Sequence, residues 1–303
     1  MFKGRWRGAD VAVKTINVVN ITDLSESILE EFRSEAALME LLGNHPNVVK
    51  FVGAVTRGGH LALVTEFCAN GSLYDKLYKS DHDYTAAELL CMARDIASAI
   101  SHLHSEGVIH RDIATRNVLL THDMTVRVSD FGMSRVITKA EESQVNTTHS
   151  NIGPVKWMAP ESIRKKEYSE KTDAFSYGVL LWEMYTRREP YEGMAVLDVA
   201  VGVAREGLRL EAPADADPTV QDLMKRCWRL NPAERPTFAE MVAQLDARVK
   251  EVSPDVNSDS DTDDDGGGSF ESAGSIGVPM RGDVSYSIPS GASSASEFEV
   301  LKK

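Results

Sequence analysis

Apolar and polar positions divide the chain into a strand-rich first part and a long helical part. Alternation around Gly8 predicts a β-hairpin over residues 2–16, and two further strands are predicted near residues 48–56 and 60–66. Apolar residues at helical spacing predict one helix between the hairpin and these strands and several helices after them. The predicted helices cover residues 23–42, 85–106, 172–186, 195–205, 218–229 and 237–249.

Composition narrows the class of protein. The 303 residues are 42% hydrophobic and 26% charged, which is typical of a globular protein. The sequence shows neither an apolar run of about 18 residues nor a basic-then-apolar leader, so we expect no membrane segment. Cys68, Cys91 and Cys227 lie far apart without a CxxC pair, which favours neither disulfides nor a zinc site. We therefore expect a reducing, cytoplasmic location.

The negative charge is concentrated at the end of the chain. Residues 251–303 hold eleven acidic and three basic residues, which is −8 of the formal net charge of −13. This Ser-, Gly- and Asp-rich stretch offers too little apolar surface to offset the loss of chain entropy, so we predict a disordered acidic tail. The acidic balance also argues against general nucleic-acid binding.

The candidate chemistry centres on residues 108–120, with the sequence VIHRDIATRNVLL. Two apolar pieces flank a polar loop that holds Asp112 and, five residues later, Asn117. Asp130 follows in VSDFG and adds a second carboxylate. A hard cation such as Mg²⁺ takes oxygen ligands, so these groups can share one phosphate-bound metal site.

Glu35 is a second unusual position. It lies on the apolar stripe of the helix predicted over residues 23–42, between Phe32 and Met39. A carboxylate on an apolar face costs several kcal/mol unless it is paired. Either this side chain bends toward water at the edge of the helix, or it has a cationic partner.

The loop and its surroundings resemble the protein kinase family. HRDIATRN matches its H-R-D-L-x-x-x-N pattern with Ile113 in the Leu position, DFG follows, and NIGPVKWMAPES resembles the end of a kinase activation segment. The resemblance covers residues 2–249. It implies an α+β, two-lobed kinase domain over residues 1–250, with an N-lobe over about 1–67 and a C-lobe over about 71–250.

The resemblance implies roles for individual residues, with ATP and Mg²⁺ (or Mn²⁺) as cofactors and proteins as substrates. Lys14, paired with Glu35, would hold the ATP phosphates. Asp130 and Asn117 would hold the metal, and Asp112 would orient the acceptor hydroxyl. Thr65 would be the gatekeeper before a hinge made of Glu66, Phe67 and Cys68. His110 and Phe131 would belong to the apolar spine that joins the two lobes.

Other matching positions imply structural and regulatory roles. Glu161 and Arg235 would form a buried ion pair, and Asp173 would anchor the catalytic loop. Phe175 stands where the family usually has tryptophan. Arg111 would order the activation segment by pairing with a phosphate. The candidate sites for that phosphate are Thr147, Thr148 and Ser150.

The sequence gives conflicting indications of which hydroxyl, that of tyrosine or that of serine and threonine, accepts the phosphate. Ala114 stands where serine/threonine kinases usually carry lysine, and Arg116 and the PVKW sequence at residues 154–157 resemble the tyrosine-kinase arrangement. Against this, the activation segment has no tyrosine, and GRWRGADVAVK resembles the tyrosine-kinase-like branch. The sequence favours tyrosine or dual specificity; the alternative is a serine/threonine kinase of the tyrosine-kinase-like group.

One departure from the family pattern concerns the glycine-rich loop. Gly4 and Gly8 flank Trp6 and do not form the G-x-G-x-x-G sequence that covers the ATP phosphates. We expect a fragment or a mis-set start of a longer protein, with weakened ATP binding and an exposed sheet edge. The alternatives are a catalytically impaired kinase-fold scaffold, or an inert domain whose acidic tail carries the main role. The sequence identifies no signalling partner.

Overall fold

The computed structural model describes residues 1–16, 26–56, 61–80, 82–130, 135–136, 155–252 and 299–301. Its strands are β1 Phe2–Trp6, β2 Ala9–Ile16, β3 Phe51–Val55, β4 Leu61–Glu66, β5 Val108–Ile109, β6 Val118–Leu120, β7 Val126–Val128, β8 Arg135–Val136 and β9 Glu299–Leu301. Its α-helices are α1 Glu26–Leu42, α2 Leu73–Lys79, α3 Ala86–Ser105, α4 Pro160–Lys165, α5 Glu170–Thr186, α6 Val196–Val201, α7 Pro218–Cys227 and α8 Phe238–Val252. A small β-rich lobe therefore precedes a larger helical lobe, as predicted.

The small lobe is built on an antiparallel sheet in the order β3-β4-β2-β1-β9. The β1–β2 hairpin turns at Arg7 and Gly8, which both have positive φ, a conformation that glycine adopts without strain. Helix α1 buries Phe32, Leu38 and Leu42. The part of this helix predicted before residue 26 lies outside the described residues.

The outer edge of this sheet differs from the sequence expectation. We expected the edge at β1 to be exposed, but β9 pairs with β1 in antiparallel register, with Lys3 opposite Leu301 and Arg5 opposite Glu299. This pairing satisfies backbone groups that an edge strand otherwise presents to solvent. Residues 253–298 of the predicted tail lie outside the described residues, so its disorder stays a prediction.

Helix α5 is the centre of the large lobe. Residues on all its faces are buried, among them Phe175, Tyr177 and Leu180. A helix that is buried all round is a core element rather than a surface one. It packs against α3 and α7, and α8 packs against α3. The continuous apolar core of this lobe also supports the loop that follows β5.

Helix α3 begins with a capping box. The hydroxyl of Thr85 accepts a hydrogen bond from the N–H of Glu88, and the Glu88 carboxylate accepts from the N–H of Thr85. These two bonds satisfy donors that are otherwise unpaired at a helix start. We expect Thr85→Ala to lower the free energy of unfolding by about 1 kcal/mol in urea titrations. Thr85→Ser keeps the hydroxyl and should stay close to the unmodified chain; equal losses in both variants would contradict the role of the cap.

The helix predicted over residues 195–205 is interrupted. Helix α6 ends at Val201, and a wider π-type turn covers Gly202–Glu206. A Cβ atom at Gly202 would lie 2.8 Å from the side chain of Leu208, so a larger residue there would force that side chain to shift.

The structure also bears on membrane spans and cysteines. Among the described residues, none of the helices is both long and apolar enough to cross a membrane. Cys68, Cys91 and Cys227 are all free thiols.

Candidate active site

Three charged groups from different elements meet between the two lobes. The Nζ atom of Lys14, on β2, lies 3.2 Å from Oε1 of Glu35 on α1 and 3.0 Å from Oδ1 of Asp130. Asp130 follows β7 and has a φ of 66°, in the left-handed region that non-glycine residues rarely adopt. Its side chain is 48% exposed, so this carboxylate is open to the cleft.

The charges of this cluster favour a protonated lysine. Burial on its own lowers the pKa of Lys14, but the neighbouring carboxylates of Asp130 and Glu35 outweigh it, and the net pKa is raised. The Glu35 side chain is only 15% exposed, so the carboxylate on the apolar stripe of α1 has the cationic partner that its position requires. The ammonium group of Lys14 is thus fixed in position between two carboxylates.

Asp112 is held by two neighbours on its own loop. The Arg116 guanidinium pairs with Oδ1 of Asp112. The Nδ2 group of Asn117 donates to Oδ2 and to the backbone oxygen of Asp112, each at 2.7 Å. The short 3₁₀ turn Thr115–Asn117 places both donors on the same side as the carboxylate. Asp112 is thus fixed in orientation before any ligand binds.

A buried carboxylate near the start of α5, that of Asp173, binds the backbone of this loop. Oδ2 and Oδ1 of Asp173 accept the backbone N–H groups of His110 and Arg111 at 2.8 and 2.9 Å. Arg111 has a φ of 70°, and such strained positions persist only where surrounding contacts fix them. The ring of His104 also contacts Oδ2 of Asp173, at 2.9 Å. Nothing in the local pattern around His104 indicated this contact, because the two residues are 69 positions apart.

His110 connects the loop to the segment that leads to Asp130. Its side chain is fully buried. Nε2 lies 3.2 Å from the backbone oxygen of Ser129, and Nδ1 lies 3.2 Å from the backbone nitrogen of Asp112. One ring therefore links the two carboxylate-bearing segments. Phe131, predicted to share the spine with His110, lies outside the described residues.

The side chains at the end of β4 and just after it are engaged within the protein. The Thr65 hydroxyl donates to the backbone oxygen of Glu66 at 3.2 Å. The Glu66 carboxylate is engaged by the Lys50 N–H at 2.8 Å and the Arg127 Nε at 2.9 Å. Cys68 is buried, and burial together with the Glu66 charge raises its pKa to about 12, so its thiol stays protonated at neutral pH. Any ligand contact by Glu66 or Cys68 is therefore best made by the main chain.

Glu161 and Arg235 form a two-pronged ion pair in the large lobe. Nη1 and Nη2 of Arg235 lie 2.6 and 2.9 Å from the two carboxylate oxygens of Glu161. The Arg235 side chain is fully buried and also stacks on Phe175 at 5.3 Å. The structure thus brings together the pair that the sequence resemblance indicated.

The structure also reveals functional candidates that the sequence did not indicate. The carboxylate of Glu183, on α5, accepts hydrogen bonds from Thr115 and from the indole of Trp157. Arg116 lies over the Trp157 ring, 4.7 Å from its centre. Glu183 follows the apolar run Val179–Leu181 of α5, and an acid so close to a buried apolar run was the signal that the sequence offered.

The predicted regulatory residues are only partly described. Arg111 is buried, and its guanidinium lies over the Tyr168 ring at 4.6 Å. Thr147, Thr148 and Ser150 lie outside the described residues. Pairing between Arg111 and a phosphate on one of them stays a prediction.

Comparison with known proteins agrees with this geometry. A family model described as protein tyrosine and serine/threonine kinase matches residues 1–245. The serine/threonine-protein kinase STY17 of Arabidopsis thaliana is 38% identical over 255 residues, covering 84% of this chain and 43% of that protein. The serine/threonine/tyrosine-protein kinase HT1 of the same plant is 37% identical over 259 residues, covering 84% of this chain and 65% of that protein. Ephrin type-A receptor 7 of Gallus gallus is 38% identical over 245 residues, covering 80% of this chain and 24% of that protein. The chain thus spans less than half the length of STY17.

Proposed function

The chain belongs to the protein tyrosine and serine/threonine kinase family, and from this premise we propose that it transfers the γ-phosphoryl group of ATP to hydroxyl groups of proteins. One observation carries the proposal: Lys14, Glu35 and Asp130 meet in one cluster, next to a loop that fixes Asp112. Phosphoryl transfer requires positioning and charge neutralisation more than covalent chemistry. The two groups of side chains match these two needs.

The ATP-binding half of the site follows from the charges. Lys14, held by Glu35, would bind phosphate oxygens, and the backbone at Thr65, Glu66 and Cys68 would bind the adenine. The donors present fit Mg²⁺ or Mn²⁺, since Asp130 offers a half-exposed carboxylate and Asn117 a carboxamide. Because Nδ2 of Asn117 is turned to Asp112, its Oδ1 is the atom available for a cation. The bound cation would neutralise charge on the phosphate oxygens.

The acceptor half of the site is organised by Asp112. Its carboxylate would accept the proton of the substrate hydroxyl and orient the oxygen toward the phosphorus atom. Arg116 and Asn117 hold the carboxylate in place for that contact. Asp173 would act indirectly, by fixing the backbone of the preceding two residues.

For the acceptor we propose tyrosine or dual specificity. Ala114 is fully buried and carries no charge, whereas Arg116 supplies the cation that pairs with the Asp112 carboxylate. This placement supports an acceptor whose hydroxyl stands far from its backbone, as in tyrosine. The relatives bear serine/threonine, dual and receptor names, so phosphoamino-acid analysis of the product is the deciding measurement.

The direct test measures phosphate transfer from labelled ATP with Mg²⁺ to Tyr-, Ser- and Thr-containing peptides. We expect transfer by the unmodified chain and a loss of about 100-fold in Lys14→Met, because the variant removes the phosphate-binding cation. Lys225→Met changes an exposed lysine on α7 and serves as the control. Absence of transfer from a folded chain would overturn the proposal and favour the scaffold alternative. Equal activity of Lys14→Met and Lys225→Met would contradict the assignment of Lys14 to the active site.

A further inference from the structure

A buried carboxylate lies directly behind the loop that holds Asp112. Glu183 is 1% exposed. Its Oε1 accepts from the hydroxyl of Thr115 at 2.8 Å and lies 3.5 Å from the hydroxyl of Tyr78. Its Oε2 accepts from the Trp157 indole at 2.7 Å and from the Thr115 N–H at 3.3 Å. Donors from two segments, residues 115–117 and 155–157, therefore converge on one side chain of α5.

Stability alone does not explain a charge at this position. Burying a carboxylate is costly, and apolar residues of similar volume often serve a core as well or better. Burial raises the pKa of Glu183, while hydrogen bonds from Trp157 and Thr115 partly oppose that shift. The neighbouring positions Leu180 and Met184 of the same helix are apolar and buried. The buried charge of Glu183 is thus an exception in this part of α5, and the groups that it binds suggest its role.

Both groups held by Glu183 are neighbours of Arg116. Thr115 directly precedes Arg116 in the short turn, so fixing Thr115 fixes the direction in which the Arg116 side chain leaves the backbone. The Trp157 ring forms the platform on which the guanidinium lies, 4.7 Å from the ring centre. From that platform the guanidinium pairs with Oδ1 of Asp112.

We propose that Glu183 is a positioning residue that holds Arg116 against Asp112 by fixing Thr115 and Trp157. In this proposal it contacts neither nucleotide nor acceptor and acts on Arg116 through Thr115 and Trp157. The inference deepens the proposed phosphotransferase function and rests on it for its kinetic consequence. Its structural consequence, an ordered turn at residues 115–117, can be measured without activity.

The kinetic test uses Thr115→Val, which removes the hydroxyl donor and keeps the shape of the side chain, and Trp157→Phe, which removes the indole donor and leaves a smaller ring under Arg116. We expect Thr115→Val and Trp157→Phe each to lower kcat for peptide phosphorylation about tenfold, with the KM for ATP unchanged. Because both act through Arg116, adding Arg116→Ala to Thr115→Val should lower kcat no further than Arg116→Ala alone. Losses that multiply in the double variant would overturn the proposal.

Variants of Glu183 itself give a second kinetic comparison. In Glu183→Gln the Thr115 hydroxyl can turn to accept from the new amide, so this variant should retain more activity than Glu183→Ala. The control is Tyr177→Phe, which removes a buried hydrogen bond to the Ala93 backbone oxygen from the same helix. It should lower stability and leave kcat unchanged. A kcat of Glu183→Ala equal to that of Tyr177→Phe would contradict the proposal.

Amide hydrogen exchange separates this inference from the proposed function. Thr115→Val should speed exchange at residues 115–117 about tenfold relative to the unmodified chain, whereas Tyr177→Phe should not do so selectively. If the unmodified chain shows no transfer activity but Thr115→Val still exchanges faster, the positioning contact is supported and the kinase function is rejected. Unchanged exchange would reject the positioning role, even in an active enzyme.

Discussion

Asp112→Asn is expected to lower kcat for phosphate transfer by about 10³-fold while the chain stays folded. The carboxylate is the only group in the loop of residues 110–117 that combines a negative charge with hydrogen bonds that fix its direction. An amide of the same shape cannot take up the proton of the acceptor hydroxyl. Its NH₂ group would also face one of the two donors, Arg116 or Asn117, that now bind the carboxylate.

The measurement is the steady-state rate with a saturating peptide, with the KM for ATP determined beside it. ATP binding depends on Lys14 and its partners, so the KM for ATP should change little. Asp198→Asn, which alters an exposed carboxylate on α6, controls for the change of charge. An Asp112→Asn variant as active as the Asp198→Asn variant would contradict the assignment of Asp112. A loss confined to Asp112→Asn would support it.

The elements of this site could be predicted because each has a local pattern. The apolar stripe of α1 made Glu35 an exception, and the structure supplies the expected cation at 3.2 Å. The capping box of α3 is complete within four residues of sequence. Residues 108–120 combine apolar flanks with a polar loop, and β5 and β6 begin and end that stretch.

The buried polar contacts between distant elements were harder to predict. Glu183 meets Thr115 across 68 positions, and His104 meets Asp173 across 69. Such contacts depend on how α5 is rotated about its axis relative to the loop and α3. Because α5 is buried on all faces, the spacing of its apolar residues does not specify that rotation. The Glu161–Arg235 pair is equally distant but could be predicted from the family resemblance, because both residues lie in recognisable motifs.

Removing the charge of Glu161 should strongly destabilise the large lobe. Glu161→Gln keeps the shape of the side chain and removes its charge, which leaves a fully buried guanidinium without its counter-ion. Backbone oxygens of Arg229 and Lys171 also accept from Arg235, so the arginine is held in place and cannot turn toward water. We expect the free energy of unfolding to fall by about 3–5 kcal/mol.

Urea unfolding of this variant is best compared with that of Glu234→Gln. Glu234 and Arg229 form a pair of the same charge type at 3.7 Å, with side chains 53% and 56% exposed, for which about 0–1 kcal/mol is expected. Equal losses in the two variants would show that burial adds nothing to the Glu161 pair. In Glu161→Gln/Arg235→Leu neither charge remains buried, so the double variant should be more stable than Glu161→Gln alone. A double variant more stable than Glu161→Gln would show that the single variant is destabilised by its unpaired, buried guanidinium. The loss of the attraction between Glu161 and Arg235 would then be the smaller effect.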